Sequence, residues 1–216
     1  MTPIKARSLE EALDKIGFDM GSTAETVLTT LNSDGSINPA PMGIIRKGPV
    51  QLEIRPYKSS KTYCNLNRSR EACVNIINDP EIFLITAFKE EKLGSHPIIF
   101  NHDNSIKQAD AVVFLTFSRM EEIDEERPSF IGEASSVKLI KEVPIVFSRG
   151  RAQAIEAIIQ ATHIEYCLKN RKSADKHIGR FNRCKEIISR VSSQDSSEAR
   201  IVKKLEKMIN HWGSQI

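Results

Sequence analysis

The stretch Tyr57-Lys58-Ser59-Ser60-Lys61-Thr62 places a run of hydroxyls beside two ammonium groups, and Arg55 precedes it by two residues. Cations with hydroxyls are what a phosphate monoester needs, and a guanidinium adds a two-pronged contact. If a helix begins within the run, its first backbone N–H groups also point at the anion. The same composition fits a solvated polar loop, so the segment alone leaves both readings open.

A second set of candidates lies upstream. Thr29, Thr30 and Asn38 are hydrogen-bonding side chains on strand-like segments, and Pro41-Met42-Gly43 offers backbone with little side-chain bulk. That is the setting in which a flat ring can approach a main chain closely, and equally the setting of a proline-stiffened hairpin.

These residues need a scaffold. Ser8, the acidic pair Glu10-Glu11 and the apolar Leu9, Leu13 and Ile16 predict a capped helix over 9–16 that ends near Gly17. From Glu25 the period becomes two, and Asp34-Gly35 predicts a tight turn with positive φ before a partner strand from Ile37 to Ile45. Pro39 and Pro41 remove ladder donors, so this part of the second strand is expected at an edge, at a bulge, or facing a ligand. A third strand alternates Val50, Leu52 and Ile54 against Gln51, Glu53 and Arg55, and a short helix capped by Lys58 or Ser59 follows through Leu66. Strands are also expected over 72–77, 111–117 and 130–141, with Asn75 as a polar interruption and 79–88 as a strand-to-helix or loop region. Five to six strands with few intervening helices predict an antiparallel β-barrel or sandwich.

After Pro144 the composition changes. Apolar residues at helical spacing predict three amphipathic helices over 151–169, 178–191 and 201–212, separated by Lys172-Ser173-Ala174-Asp175 and a serine-rich link at 192–197. The expected division is a domain over 1–145 and a helical region over 146–216, packed on the barrel or on a dimer.

The charged fraction of 27%, the net charge of +3 and the hydrophobic fraction of 40% describe a globular chain of 216 residues. No apolar run approaches the roughly 20 residues of a membrane span, and Met1–Arg7 leads into no signal core, so a cytoplasmic protein without a membrane partner is expected. Cys64, Cys73, Cys167 and Cys184 are far apart and read as reduced thiols, and no His or Cys spacing supports a metal. Basic residues at 169–172 and 180–185 alternate with acids and read as solvated surface rather than as a nucleic-acid contact.

The order Glu25-Thr26-x-x-Thr29-Thr30-x-Asn32-x-Asp34-Gly35-x-x-Asn38-x-Ala40-Pro41-Met42-Gly43, then Arg55-Pro56-Tyr57-Lys58-Ser59-Ser60-Lys61-Thr62-Tyr63-x-Asn65-Leu66, then Val74-Asn75-Ile76-x-x-Asp79 with Phe83, resembles the DUF447 family of mostly archaeal flavoproteins. The segment Arg149 to Thr162 resembles the family's helical part, with His163 standing where an arginine is expected. The resemblance implies an FMN-binding split barrel of antiparallel Greek-key type with a C-terminal three-helix region. It further implies a homodimer with FMN near the subunit interface. Arg55, Lys58, Ser59, Lys61 and Thr62 would hold the phosphate, Thr29, Thr30, Asn38 and the backbone of Pro41, Met42 and Gly43 would border the ring, and Asn75 would add a polar contact. The activity so implied is an FMN-dependent oxidoreductase, with a nicotinamide nucleotide or another small molecule as substrate. A flavin carrier or sensor without catalysis is the alternative.

Overall fold

Glycine and proline placement decides how the first hairpin is built. In the computed structural model, which describes residues 8–18, 20, 23–89, 97–142, 149–192, 194 and 196–214, strands β1 (Thr23–Leu31) and β2 (Ile37–Arg46) pair antiparallel along their whole length. Gly35 takes φ +82° in the loop between them, and the Asn32 N–H donates to Ser36 O at 2.8 Å. Pro39 faces Thr29 and Pro41 faces Val27 across the ladder. β3 (Gln51–Ile54) joins β2 at Ile44, Ile45 and Arg46, so among the described residues the proline half of β2 has no strand on its other side. Missing donors are tolerated there because nothing asks for them.

The barrel closes in the order β1-β2-β3-β6-β5-β4, with β4 (Glu71–Ile76), β5 (Ala111–Glu121) and β6 (Ser129–Leu139), and every pairing is antiparallel. Leu28, Ile44, Leu52, Ile54, Val74, Val113, Leu115, Phe117 and Phe130 alternate inward and form its core. Closure leaves no free edge except where strands part company. Helix α1 (Leu9–Ile16) adds Leu13 to this core; Ser8 caps it by accepting the Glu11 N–H at 3.1 Å, and Gly17 ends it at φ +91°. Helix α2 (Lys61–Ser69) adds Leu66, and its Tyr63 ring meets Phe130 edge-on at 5.9 Å.

Two positions make the barrel sensitive to single changes. Around Ser118 the β5–β6 register slips, and a Cβ on Gly132 would lie 2.7 Å from Thr116 O and 2.8 Å from Phe117 Cδ1. Backbone cannot yield as a side chain can, so Gly132→Ala is expected to lower unfolding free energy by about 2 kcal/mol in a urea titration. Arg46, 4% exposed, donates to Phe18 O, Gly48 O and Pro49 O and pairs with Asp14 at 2.5 Å, tying α1 and the β2–β3 turn to the barrel. Arg46→Met keeps the apolar stem and removes every donor; a loss of about 2 kcal/mol is expected, with α1 amides exchanging sooner than the strands.

The chain divides into two compact units, Met1–Ile77 with Ile98–Pro144, and Asn78–Pro97 with Ile145–Ile216. The second contains α3 (Pro80–Phe88), α4 (Arg149–Lys169), α5 (Asp175–Val191) and α6 (Ser197–Ser214). The expected boundary at 145, the acidic and basic mixture beyond Lys89, and Ser193 and Asp195 of the serine-rich link lie outside the described residues. The ambiguous stretch 79–88 is a helix: Asp79 caps it by accepting the Glu81 N–H at 2.9 Å, and Pro80 occupies its first turn, where no donor is needed. It packs with α4 and α6, which explains why its apolar residues show no one-sided pattern. On α4, Ala154, Ala157, Ile158, Ala161 and Ile164 are buried, together with Phe181, Cys184 and Ile188 of α5 and Ile201, Val202 and Leu205 of α6. The His163 ring stacks on His177 at 4.8 Å. Among the described residues no helix is long and apolar enough to cross a membrane.

Candidate functional site

Strand alternation separates the two threonines that the sequence places together. Thr30 faces the same way as Leu28, and Thr29 faces the opposite way. Thr30 and Asn38 meet α2: Asn38 Nδ2 donates to Thr30 Oγ1 and to Thr62 Oγ1, each at 3.2 Å. Asn65 Nδ2 donates to the same Thr30 oxygen and to Asn32 Oδ1, both at 3.0 Å. Thr30, Asn38, Thr62 and Asn65 are all buried, so this network fixes the start of α2 against the open half of β2. Asn65 follows Thr62 by one helical step, a spacing that brings both side chains onto one face and that would have picked it out.

Thr29 and Asn75 form a separate network on the outer face of β1 and β4. Asn75 Nδ2 donates to Val27 O at 3.0 Å and Thr29 Oγ1 at 3.2 Å, while its Oδ1 accepts the Ile106 N–H at 2.7 Å. Its side chain is 0% exposed, which makes it a brace for the segment 98–110 and gives a ligand no direct approach. A cleft of about 240 Å³ opens beside this face between Thr29, Leu31, Ser69, Cys73, Asn104 and Phe114. None of the cationic loop lines it. Burial pushes the Cys73 thiol up to about 11, so it is no nucleophile at neutral pH.

The loop from Arg55 to Thr62 leaves β3 and turns into α2. Ser60, rather than Lys58 or Ser59, is the cap: the Ser60 N–H donates to Tyr57 O at 2.9 Å, closing a turn first, and Ser60 Oγ accepts the Tyr63 N–H at 3.2 Å. The amides of Lys61 and Thr62 then belong to the first turn, where helix geometry supplies no acceptor. Ser59 and Lys61 are exposed at this end. Among the described residues no carboxylate lies within ion-pair distance of Lys61.

Arg55 and Lys58 have carboxylate partners. Arg55 Nε donates to Glu53 Oε1 at 2.7 Å, and the same oxygen accepts from Ser129 Oγ at 2.7 Å, with Lys47 Nζ 3.3 Å from Oε2. Glu53 is 2% exposed. Burial alone raises its carboxyl, but the hydrogen bonds from Arg55 and Ser129 and the adjacent positive charge hold it below the ordinary carboxylate range. The outer Nη edge of Arg55 has no partner among the described residues, and the side chain is 42% exposed. Lys58 Nζ lies 2.6 Å from Glu122, which raises its ammonium. Its backbone N–H donates to Glu126 O at 2.9 Å, Arg127 Nε donates to Arg55 O at 3.1 Å, and the Arg127 guanidinium covers the Tyr57 ring at 4.8 Å. The β5–β6 turn thus holds the loop. It is about 70 residues away in the chain, and no local pattern announces it.

Pro41, Met42 and Gly43 occupy the free half of β2; Met42 is partly buried against the core, and its carbonyl accepts from Thr26 Oγ1 at 3.0 Å. The structure therefore gathers Thr30, Asn38 and Thr62 at one place. Arg55, Lys58, Ser59 and Lys61 are carried on the loop that ends there, and Thr29 and Asn75 belong elsewhere. Exposed cations, hydroxyls and helix amides form a donor set suited to a phosphate monoester. No group of metal-ligating side chains occurs among the described residues.

The family model for the N-terminal domain of a protein of unknown function, DUF447, matches residues 24–140. No curated protein matches the chain. A crystal structure of an FMN-bound protein from Methanosarcina mazei, MM1853, assigned to the same family model, is 22% identical over 93% of this chain and 99% of that one, with a TM-score of 0.68. It has the same fold. The NADH:FAD oxidoreductase SgcE6 of Streptomyces globisporus C-1027 aligns over 54% of this chain and 75% of its own, at 15% identity and a TM-score of 0.45. The styrene monooxygenase flavin reductase of Pseudomonas putida S12 aligns over 56% of this chain and 82% of its own, at 13% identity and a TM-score of 0.48. A family match spanning the whole barrel, on a closed antiparallel barrel of six strands, makes this chain a member of the DUF447 family.

Proposed function

We propose that this protein is an FMN-binding flavoprotein that works as an oxidoreductase, with the cofactor phosphate on the Arg55–Thr62 loop and the first turn of α2. The observation that carries the reading is the joining of that loop to the free half of β2 through the Asn38–Thr62 hydrogen bond of 3.2 Å. Cations and helix amides there lie next to backbone that no strand among the described residues covers. The FMN-bound Methanosarcina protein of the same family and fold supports the choice of cofactor.

Arg55 Nη, Lys61 Nζ, Ser59 Oγ and the α2 amides bind the phosphate, and Lys58 joins them. Thr30 and Asn38 hold α2 in place beside Pro41, Met42 and Gly43, whose backbone borders the ring. Thr29 and Asn75 stiffen β1 from behind. FMN, when bound, accepts and donates hydride; the protein's part is to bind, orient and shield it. A homodimer that completes the ring pocket, and a nicotinamide nucleotide as donor, belong to the same proposal.

The test is calorimetry with FMN and with riboflavin, followed by the absorbance of the mixture and its bleaching by NADH or NADPH under anaerobic conditions. Saturable FMN binding with at least tenfold preference over riboflavin is expected. Equal affinity for both would remove the phosphate site, and no binding would end the reading. FMN binding with no bleaching by either nucleotide would favour a flavin carrier.

A further inference from the structure

The geometry points to Glu122 as an internal competitor of the flavin phosphate, one that holds down the affinity for a phosphate-bearing flavin because its carboxylate occupies the ammonium that the phosphate requires. This inference rests on the FMN reading above. Lys58 Nζ and Glu122 Oε2 are 2.6 Å apart, a charge-assisted contact of the kind a phosphate oxygen would make. A lysine ammonium has donors to spare, but Glu122 and a dianionic phosphate on one ammonium would repel each other. Binding therefore exchanges one anion for the other.

The turn is built for such an exchange. The Glu122 side chain is 55% exposed and that of Lys58 37%, so either can rotate without opening the core. Meanwhile the backbone contacts Lys58 N–H to Glu126 O and Arg127 Nε to Arg55 O, with Arg127 on Tyr57, keep turn and loop together whichever anion Lys58 holds. Arg55 differs: its Glu53 is 2% exposed and bound on the Nε side only, so phosphate adds to Arg55 without displacing anything. Two lysine and arginine contacts to one phosphate thus have unlike energetics. Arg55 is preorganised, whereas Lys58 must first give up Glu122. A flavin lacking the phosphate has nothing to offer Lys58 in return and leaves the pair intact.

The experiment compares wild type, Glu122→Gln and Glu125→Gln by calorimetry at low salt with FMN and riboflavin as probes. Glu125 is the control because its charge acts on Lys58 through space without contact. E122Q is expected to bind FMN about 2- to 5-fold more tightly, the span of an exposed ion pair, with riboflavin affinity unchanged. E125Q should gain clearly less. FMN affinity unchanged or weakened in E122Q, with its melting temperature preserved, overturns the exchange, as does an equal gain in E125Q or an equal gain for riboflavin. Absence of FMN binding by the wild-type protein is a different result: it removes the cofactor reading and this inference with it.

Discussion

Arg55→Ala is expected to weaken FMN binding by about 10- to 100-fold, corresponding to one charge-assisted contact of about 1.5–3 kcal/mol, and to leave riboflavin within about twofold of wild type. The reason lies in how the side chain is held. Arg55 Nε is fixed by Glu53, and Glu53 is fixed in turn by Ser129 at 2.7 Å, so the guanidinium plane is set before any ligand arrives. Its Nη edge is then presented outward with little rotamer entropy left to lose. Arg55→Lys should recover only part of the affinity, because an ammonium cannot both satisfy Glu53 through a fixed Nε and present a second pair of donors. Parallel losses for FMN and riboflavin would show instead that the substitution damages the barrel, a separate matter that a melting curve checks. The alanine variant leaves buried Glu53 with Lys47 and Ser129 alone, so some loss of stability accompanies the binding defect.

Asn75→Leu, which keeps the branching and heavy-atom count of the side chain, should be strongly damaging to the barrel. It removes the partner of Val27 O and of the Ile106 N–H and places an apolar group where both remain buried. Each group so stranded costs about 1–3 kcal/mol, so a total near 3 kcal/mol and a fall in melting temperature of roughly 6–12 °C are expected. Hydrogen exchange gives a local readout: the Ile106 amide should lose protection before the β5 amides do. Thr29→Val makes the comparison: it removes a long contact to Cys73 O at 3.4 Å and one acceptor of Asn75 Nδ2, which keeps Val27 O, so about 1 kcal/mol is at stake. A fall of under about 2 °C in Asn75→Leu would mean that the amide does not brace the 98–110 segment.

Much of the scaffold follows from local rules. The helix over 9–16 ends where Gly17 allows a left-handed backbone, and the strands over 25–31 and 37–45 differ from the observed ones by a residue or two. The prolines in β2 correctly mark the place where the sheet opens, because a missing N–H is a local property with a non-local consequence. The 79–88 helix eluded the pattern for a physical reason: a helix buried on most of its surface has no polar face, and its periodicity disappears. Its capping Asp79 and Pro80 carried the only local signal. Of the site, the cationic loop was legible because charge and hydroxyl density need no fold to be noticed.

By itself, then, the sequence determined the cationic, hydroxyl-rich character of Arg55–Thr62, the turn at Gly35 and the edge character of Pro39–Pro41, since each depends on chemistry within a few bonds. Only the tertiary structure decided which of these groups work together. Strand alternation sent Thr29 and Thr30 to opposite faces, barrel closure turned Asn75 into a brace, and the β5–β6 turn brought Glu122 and Arg127 onto a loop far away in sequence. Register and closure are collective properties of six strands, so the partners of a side chain across the barrel are fixed by pairings that no short stretch of the chain encodes.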